Sequence, residues 1–195
     1  MKRLFGILSS AIALILLSPI LIVIAVGIII DSKGGVFYKQ KRIGKNGKAF
    51  MLYKFRSMRT GADRKGLITV GSKDDRTTKV GRFIRKYKLD ELPQLINILK
   101  NDMSVVGPRP EVEKYVQLYT AEQQKVLNVK PGLTDLASLA YINENEILGQ
   151  AKDPEKTYVE QIMPAKLRLN LEYIENQSFL FDLQIIAKTL MRIVD

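Results

Sequence analysis

The chain has 195 residues, with 31 Lys plus Arg against 20 Asp plus Glu, and contains no His, no Cys and no Trp. That length fits one compact domain with appendages better than two domains. The missing residue types exclude a His general base, a Cys nucleophile, a disulfide framework and every His or thiolate metal site. What remains is chemistry on carboxylates, hydroxyls, amines and guanidinium groups, and the metal suited to such ligands is a hard cation such as Mg²⁺. The formal net charge of +11 asks for an anionic partner, and nucleic acid, an acidic membrane and phosphorylated small molecules all qualify.

The charge is unevenly placed. Residues 1–31 hold Lys2, Arg3 and Asp31 (net +1), residues 32–88 hold 18 basic groups against Asp63, Asp74 and Asp75 (net +15), and residues 89–195 hold 11 basic against 16 acidic groups (net −5).

The first element runs from Leu4 to Ile30, 27 consecutive uncharged residues, mostly Leu, Ile, Val and Ala. As a helix it would be about 40 Å long, more than a hydrocarbon core of about 30 Å requires. A signal peptide is the first alternative, with Ala25-Val26-Gly27 resembling a cleavage site. The run is about twice a normal signal core, and the basic stretch behind it opposes translocation. Pro19 removes a backbone donor and forces a kink or break, and Ser18 before it can cap a freed backbone group. Both flanks are positive: Lys2 and Arg3 before, Lys33, Lys39, Lys41 and Arg42 after. Charge and proline leave two topologies open, a re-entrant helix-break-helix on one face and a kinked single span. Under both, the rest of the chain is cytoplasmic.

A hairpin is predicted next, from Val36–Arg42 through a turn at Asn46-Gly47 to Ala49–Met58. Thr60–Lys79 is polar and reads as a mobile loop. Helical periodicity returns at Phe83, Ile84 and Tyr87, and again at Leu92, Leu95, Ile96 and Leu99. Gly107-Pro108-Arg109-Pro110 is a loop, and Val112–Leu127 reads as a helix closed by Pro131-Gly132. Helices are expected to start at Asp153-Pro154 and at Pro164, and Phe179–Val194 is an amphipathic helix that packs on the core or lies among lipid headgroups. The expected fold class is α+β and predominantly helical. It comprises a broken membrane helix over 1–31 and a cytoplasmic domain over 32–195 with a β-hairpin and amphipathic interfacial helices.

The chemistry concentrates at Leu89-Asp90-Glu91-Leu92-Pro93-Gln94. Pro93 belongs in a first helical turn, which puts Asp90 at or near the N-cap and Glu91 just inside. An acidic pair at a helix start usually only caps it, but here Arg82, Arg85, Lys86 and Lys88 lie immediately before. Such surroundings predict a lowered pKa, an ionised carboxylate and a nucleophile toward phosphorus. The second carboxylate suits Mg²⁺ on a diphosphate, and Arg109 on its proline-stiffened loop can offer a fork to a phosphate oxygen.

Taken together, Asp90-Glu91-Leu92-Pro93-Gln94-Leu95, Asn97, Asp102-Met103-Ser104, Gly107-Pro108-Arg109-Pro110 and Lys130-Pro131-Gly132-Leu133-Thr134 resemble the bacterial sugar transferase family, and among its members the small monotopic phosphoglycosyl transferases. Lys54-Phe55-Arg56-Ser57-Met58 and the Ser18-Pro19 break are similar to that family as well. The resemblance implies transfer of a sugar-1-phosphate from a UDP-sugar donor to a polyprenyl (undecaprenyl) phosphate acceptor, with release of UMP, as the first membrane step of a bacterial surface glycan. It implies Asp90 as the nucleophile of an aspartyl-phosphosugar intermediate and Glu91 as its Mg²⁺-linked partner. Arg109 corresponds to the phosphate-binding arginine, and Arg85, Lys54 and Arg56 are assigned to substrate phosphates with it. Ser18 and Pro19 correspond to the break of a re-entrant helix, which favours the same-face topology at the cytoplasmic side of the inner membrane, among phospholipids and with no nucleic-acid partner. After the Pro-Gly motif the sequence departs from the family: Asp135, Ala137-Ser138 and Asn143-Glu144-Asn145 stand where many members carry Gly, Ala-Gln and Gly-Arg-Asn. The arginine of that triplet has no counterpart here. The competing reading, from another class, is a non-catalytic membrane-tethered module whose basic segment binds acidic lipid or nucleic acid.

Overall fold

The computed structural model describes residues 1–65 and 74–194, so the centre of the stretch read as a mobile loop, residues 66–73, lies outside the described residues. Helix α1 (Lys2–Asp31) contains Pro19 and continues through it. The proline leaves the Ile15 carbonyl without its helical donor, and the Ser18 hydroxyl donates to that carbonyl at 2.7 Å. The expected break is therefore a capped proline site inside one helix.

Strands β1 (Phe37–Ile43) and β2 (Ala49–Phe55) form the predicted antiparallel hairpin, in register from Phe37 opposite Phe55 to Ile43 opposite Ala49. Its turn places Asn46 (φ 56°) and Gly47 (φ 72°) in the left-handed region, as Asn-Gly favours. Helix α2 (Lys79–Lys86) is capped by Thr78, and a 3₁₀ turn over Leu89–Glu91 leads into α3 (Gln94–Leu99). Asn97 of α3 is fully buried. Its side chain accepts from Tyr53 N–H at 3.0 Å and donates to the Met51 carbonyl at 2.8 Å. It closes the free edge of β2 as a neighbouring strand would.

Two three-residue strands follow, β3 (Ser104–Val106) and β4 (Gly132–Thr134), paired in parallel. Between them lies α4 (Glu113–Val116), much shorter than the expected Val112–Leu127 helix. The chain restarts as a 3₁₀ turn at Gln123–Asn128 because Thr120 and Gln123 bond each other's backbone N–H reciprocally, at 3.3 and 3.0 Å. Helices α5 (Leu136–Ala140) and α6 (Glu144–Gln150) are short. Helix α7 (Pro154–Thr157) passes through a π-helical turn at Tyr158–Ile162 into α8 (Met163–Asn176), with the two prolines near the helix starts expected of them. Helix α9 (Phe179–Val194) ends the fold.

The longest helix is held by the domain from its first turn to its last. Lys2 pairs with Asp182 at 3.0 Å, Asp182 also accepts from Tyr173 at 2.7 Å, and Phe5 packs edge-on against Phe179. In the middle, Ala13 and Leu14 pack on the cluster of Leu52, Leu95, Ile98 and Met103. Towards the end, Ile24 and Ile28 are buried with Phe55 and Ile84, and Asp31 accepts from Val80 N–H at 2.7 Å. The other side of α1 is an open apolar surface, with Ile15 and Leu16 each 72% exposed. Among the described residues it is one helix long and apolar enough to cross a membrane. Helix α9 divides the two readings of it. Ile185 is buried in the core, whereas Leu180 and Leu190 are 72% and 60% exposed.

Candidate active site

Lys88, at φ 55°, turns the chain sharply after α2. That turn points Leu89 into the core beside Phe55 and Ile84 and leaves Asp90 and Glu91 on the wall of a cavity of about 1380 Å³. This exceeds the roughly 300–1,000 Å³ of most small-molecule sites. The acidic pair was expected at the start of a helix. It lies instead in the 3₁₀ turn ahead of α3, whose N-cap is Pro93, and neither carboxylate caps that helix.

The two neighbours have opposite surroundings. Glu91 Oε1 accepts from Lys54 Nζ at 2.7 Å and also from Arg109, while Oε2 accepts a second Arg109 N–H at 3.2 Å. Burial alone would raise its pKa, but Arg109 and then Lys54 outweigh burial and hold the carboxyl well below the usual carboxylate range. Asp90 is 7% exposed, and among the described residues no hydrogen bond or ion pair engages its carboxylate. Burial raises its pKa; Lys54 opposes that, and the charge of Glu91 adds to it. The expectation of a lowered pKa at Asp90 is thus reversed. Arg85 and Lys88, two of the cations expected to lower it, still act in that direction, but burial outweighs them and the charge of Glu91 adds to the penalty on a second negative charge.

Arg109 comes from the Gly107–Pro110 loop, which the β3–β4 pair holds rigid. Gly107 N–H donates to the Thr134 carbonyl at 3.1 Å and Gly132 N–H to the Pro108 carbonyl at 3.0 Å. The two backbones cross so closely that a Cβ on Gly132 would lie 2.1 Å from Gly107 N. On the far side of the loop, Arg42 donates to the Pro110 carbonyl at 3.0 Å and to Glu111 at 2.8 Å, and Glu111 also accepts from the Tyr158 hydroxyl. Lys54 comes from the buried face of β2, and its pKa is lowered by burial.

Of the predicted residues, the fold brings Asp90, Glu91, Lys54 and Arg109 together. Arg85 lines the same cavity and acts electrostatically on Asp90. Its guanidinium has no hydrogen-bond or ion-pair partner among the described residues. Arg56, expected at substrate phosphates, also lines the cavity, but its donors are engaged chiefly by the backbone. Its five N–H donors go to the carbonyls of Ile28, Ser32, Lys33 and Gly35 and to the Thr60 hydroxyl, so it caps the C-terminal end of α1.

For Mg²⁺ the donor set is small, since no cluster of three acidic residues occurs among the described residues. An ionised carboxylate has about four lone-pair sites. Glu91 uses three of them, leaving one on Oε2 for a cation, and Asp90 is free. That fits an ion held by one protein carboxylate with substrate phosphates and water.

Other parts of the wall have no role assigned from the sequence. Ser10, on α1, is 1% exposed and lines the cavity with an unpartnered hydroxyl. Thr134 and Thr189 share a 2.6 Å hydroxyl contact there. Ser10 sits in an apolar run where periodicity and composition carry no signal, whereas Thr134 ends the Lys130–Thr134 motif, for which the sequence indicates no role. Ser138, Asn143, Glu144 and Asn145 line the same cavity, and Glu144 pairs with Lys166 at 2.6 Å.

The bacterial sugar transferase family model matches residues 1–195. The sugar transferase EpsL of Bacillus subtilis (strain 168) is 39% identical over 195 residues, covering 100% of this chain and 87% of that one. The exopolysaccharide production protein PSS of Rhizobium leguminosarum bv. phaseoli is 38% identical, covering 98% of this chain and 94% of its own. The UDP-glucose:undecaprenyl-phosphate glucose-1-phosphate transferase of Klebsiella pneumoniae is 40% identical over 98% of this chain, which spans 39% of that longer protein. A match along the whole chain, with a free carboxylate beside a clamped one at its centre, shows that this protein belongs to the bacterial sugar transferase family.

Proposed function

We propose that this protein transfers a sugar-1-phosphate from a UDP-sugar to undecaprenyl phosphate through an aspartyl-phosphosugar intermediate on Asp90. The observation that carries this reading is the contrast at the centre of the cavity: Asp90 is buried and unengaged, while Glu91 gathers Lys54 and Arg109 beside it. In the first step an Asp90 oxygen bonds to the sugar-bearing phosphorus, the bond from that phosphorus to the bridging oxygen breaks, and UMP leaves with the electron pair. In the second, a phosphate oxygen of the acceptor attacks the same phosphorus and the Asp90 oxygen leaves, giving the polyprenyl diphosphate sugar and restoring the carboxylate. No net proton is required. Arg109 keeps three of its five donors and Lys54 two of its three for the phosphates, and Arg85 adds a third cation. Mg²⁺, held through Glu91, would supply neutralisation of the diphosphate charge.

The acceptor reaches the site from the membrane. Helix α1 is bonded to one domain at both ends, through Lys2 and through Asp31. A straight helix of its 30 residues would be about 45 Å long. A helix so tethered keeps both its ends on the side of the bilayer where the domain lies, which the positive flanks make the cytoplasmic face of the inner membrane. Ser10 and Ala13 then put the membrane element itself in the cavity wall. The relatives named for exopolysaccharide production support a place in surface-glycan synthesis.

The test is intact-protein mass spectrometry on the purified protein with Mg²⁺ and donor alone. The expected result is a sugar-phosphate adduct, about one equivalent of UMP, and neither with Asp90→Asn. Turnover with acceptor present but no adduct at any time would replace the covalent route with direct displacement.

A further inference from the structure

A second, smaller cavity of about 280 Å³ lies on the other face of the β3 strand. Side chains alternate along a strand, so Val105 faces the Asp90 cavity while Ser104 and Val106 face this one. The two cavities share no lining residue. Three distant parts of the chain bring cations to the smaller one: Arg3 from the first turn of α1, Lys45 from the hairpin turn and Lys130 from the segment before β4.

Among the described residues no carboxylate is bonded to any of these three cations. Lys2, also on the rim, is paired with Asp182. Arg3 and Lys45 have no hydrogen-bond or ion-pair partner among the described residues, and Lys130 donates only to the neutral side chain of Asn101. Lys130 is pushed towards its neutral form by burial first and then by Arg3 and Lys45, with Asp102 alone opposing. Three cations held together this way cost electrostatic repulsion that a bound anion removes.

The setting selects the anion. The cavity is lined by Lys2, Arg3, Gly6 and Ile7 of the first two turns of the apolar helix; Leu4 and Leu8 of the same turns, outside the lining, are 63% and 53% exposed, and Leu180 of α9 is 72% exposed. A membrane that covers these leucines brings its anionic headgroups to the end of α1 where the cavity lies.

We propose that Arg3, Lys45 and Lys130 form a headgroup site for the phosphodiester of an anionic phospholipid, which seats the N-terminal end of α1 at the membrane surface. The ligand chemistry is a phosphate group. A free phosphate could meet the same cations but would not be held at the membrane surface that the exposed leucines mark. The site stands apart from the reaction at Asp90 and does not depend on it.

The experiment uses the full chain in neutral detergent with three probes: dihexanoyl phosphatidylglycerol, dihexanoyl phosphatidylcholine and inorganic phosphate. Binding is read by native mass spectrometry and by the shift in melting temperature. Phosphatidylglycerol should bind and raise the melting temperature, with phosphatidylcholine and inorganic phosphate bound at least about tenfold more weakly. Arg3→Gln with Lys45→Gln, both at exposed positions, should weaken phosphatidylglycerol about fivefold per charge removed. Without lipid this double variant should melt no lower than the parent, because repulsion is relieved. Lys130→Gln should weaken binding as well, whereas Lys125→Gln, in an exposed pair with Glu122, should not. Equal binding of the two lipids, or unchanged binding by both the double variant and Lys130→Gln, would overturn the site. Inorganic phosphate binding as tightly as phosphatidylglycerol would overturn the lipid assignment in favour of free phosphate.

Discussion

The cavities on the two faces of β3 are both rimmed by basic side chains, and the difference between them is the fate of the counter-charge. In the larger cavity Lys54 and Arg109 converge on Glu91, which fixes their positions and leaves Asp90 buried without a partner. In the smaller one Arg3, Lys45 and Lys130 line the wall, and among the described residues no carboxylate is bonded to any of them. Cations ordered by an internal carboxylate are preorganised for a charge that appears during a reaction. Cations left without one hold an attraction for an anion from outside. The same division runs between Asp90 and Glu91 themselves, adjacent in the chain and opposite in role: one supports the architecture and the other is held available.

The sharpest way to break this comparison is to remove each carboxylate in turn. Asp90→Asn should lower UMP release by at least about 10⁴-fold while leaving urea unfolding unchanged or slightly improved, because the charge removed is buried and unpaired. Glu91→Gln should lose activity as well, and with it about 3–5 kcal/mol of stability, since Lys54 and Arg109 would then lie buried without their partner. If both variants unfold alike, the proposed division of labour is wrong. Arg109→Lys retains the charge and removes the fork, so turnover should fall about 10- to 100-fold with a smaller loss of stability than Glu91→Gln. A fall no larger than that of an exposed arginine would show that charge alone suffices.

The smallest effect concerns pH. Asp90 has its pKa raised by burial and must be ionised to attack, so kcat/KM should fall with decreasing pH through a value above the usual carboxylate range. Lys54 opposes that rise, and Lys54→Gln should therefore move the acid limb higher still. A limb that moves lower, or stays in place, would place the control of Asp90 with another group.

Much of the fold is legible from local patterns. The uncharged run of α1, the Asn-Gly turn, the prolines at the starts of α7 and α8, and the period of α9 each involve residues close in sequence, where backbone geometry and hydropathy act directly. The Val112–Leu127 helix failed because the reciprocal Thr120–Gln123 bonds offer the backbone an alternative that apolar spacing does not register. The β3–β4 pair escaped notice because three residues are too few for a period, and a parallel pairing is made by segments far apart.

The site divides in the same way. Composition excluded His and Cys chemistry and left carboxylates, hydroxyls, amines and guanidiniums, and the Asp90-Glu91 motif marked the candidate site. The sequence could also show that basic charge crowds into residues 32–88. Three things were decided only by tertiary structure. Glu91, and not Asp90, takes the two cations, because Lys54 and Arg109 arrive from a strand and a loop far away in the chain. Arg56 gives its donors to the end of α1 while lining the same cavity, because that helix end is packed beside β2. The direction of the Asp90 pKa followed burial, which sequence neighbours cannot reveal. Charge and hydropathy belong to residues one at a time and can be read along the chain. Pairing and desolvation belong to residues brought together, and they exist only once the chain has folded.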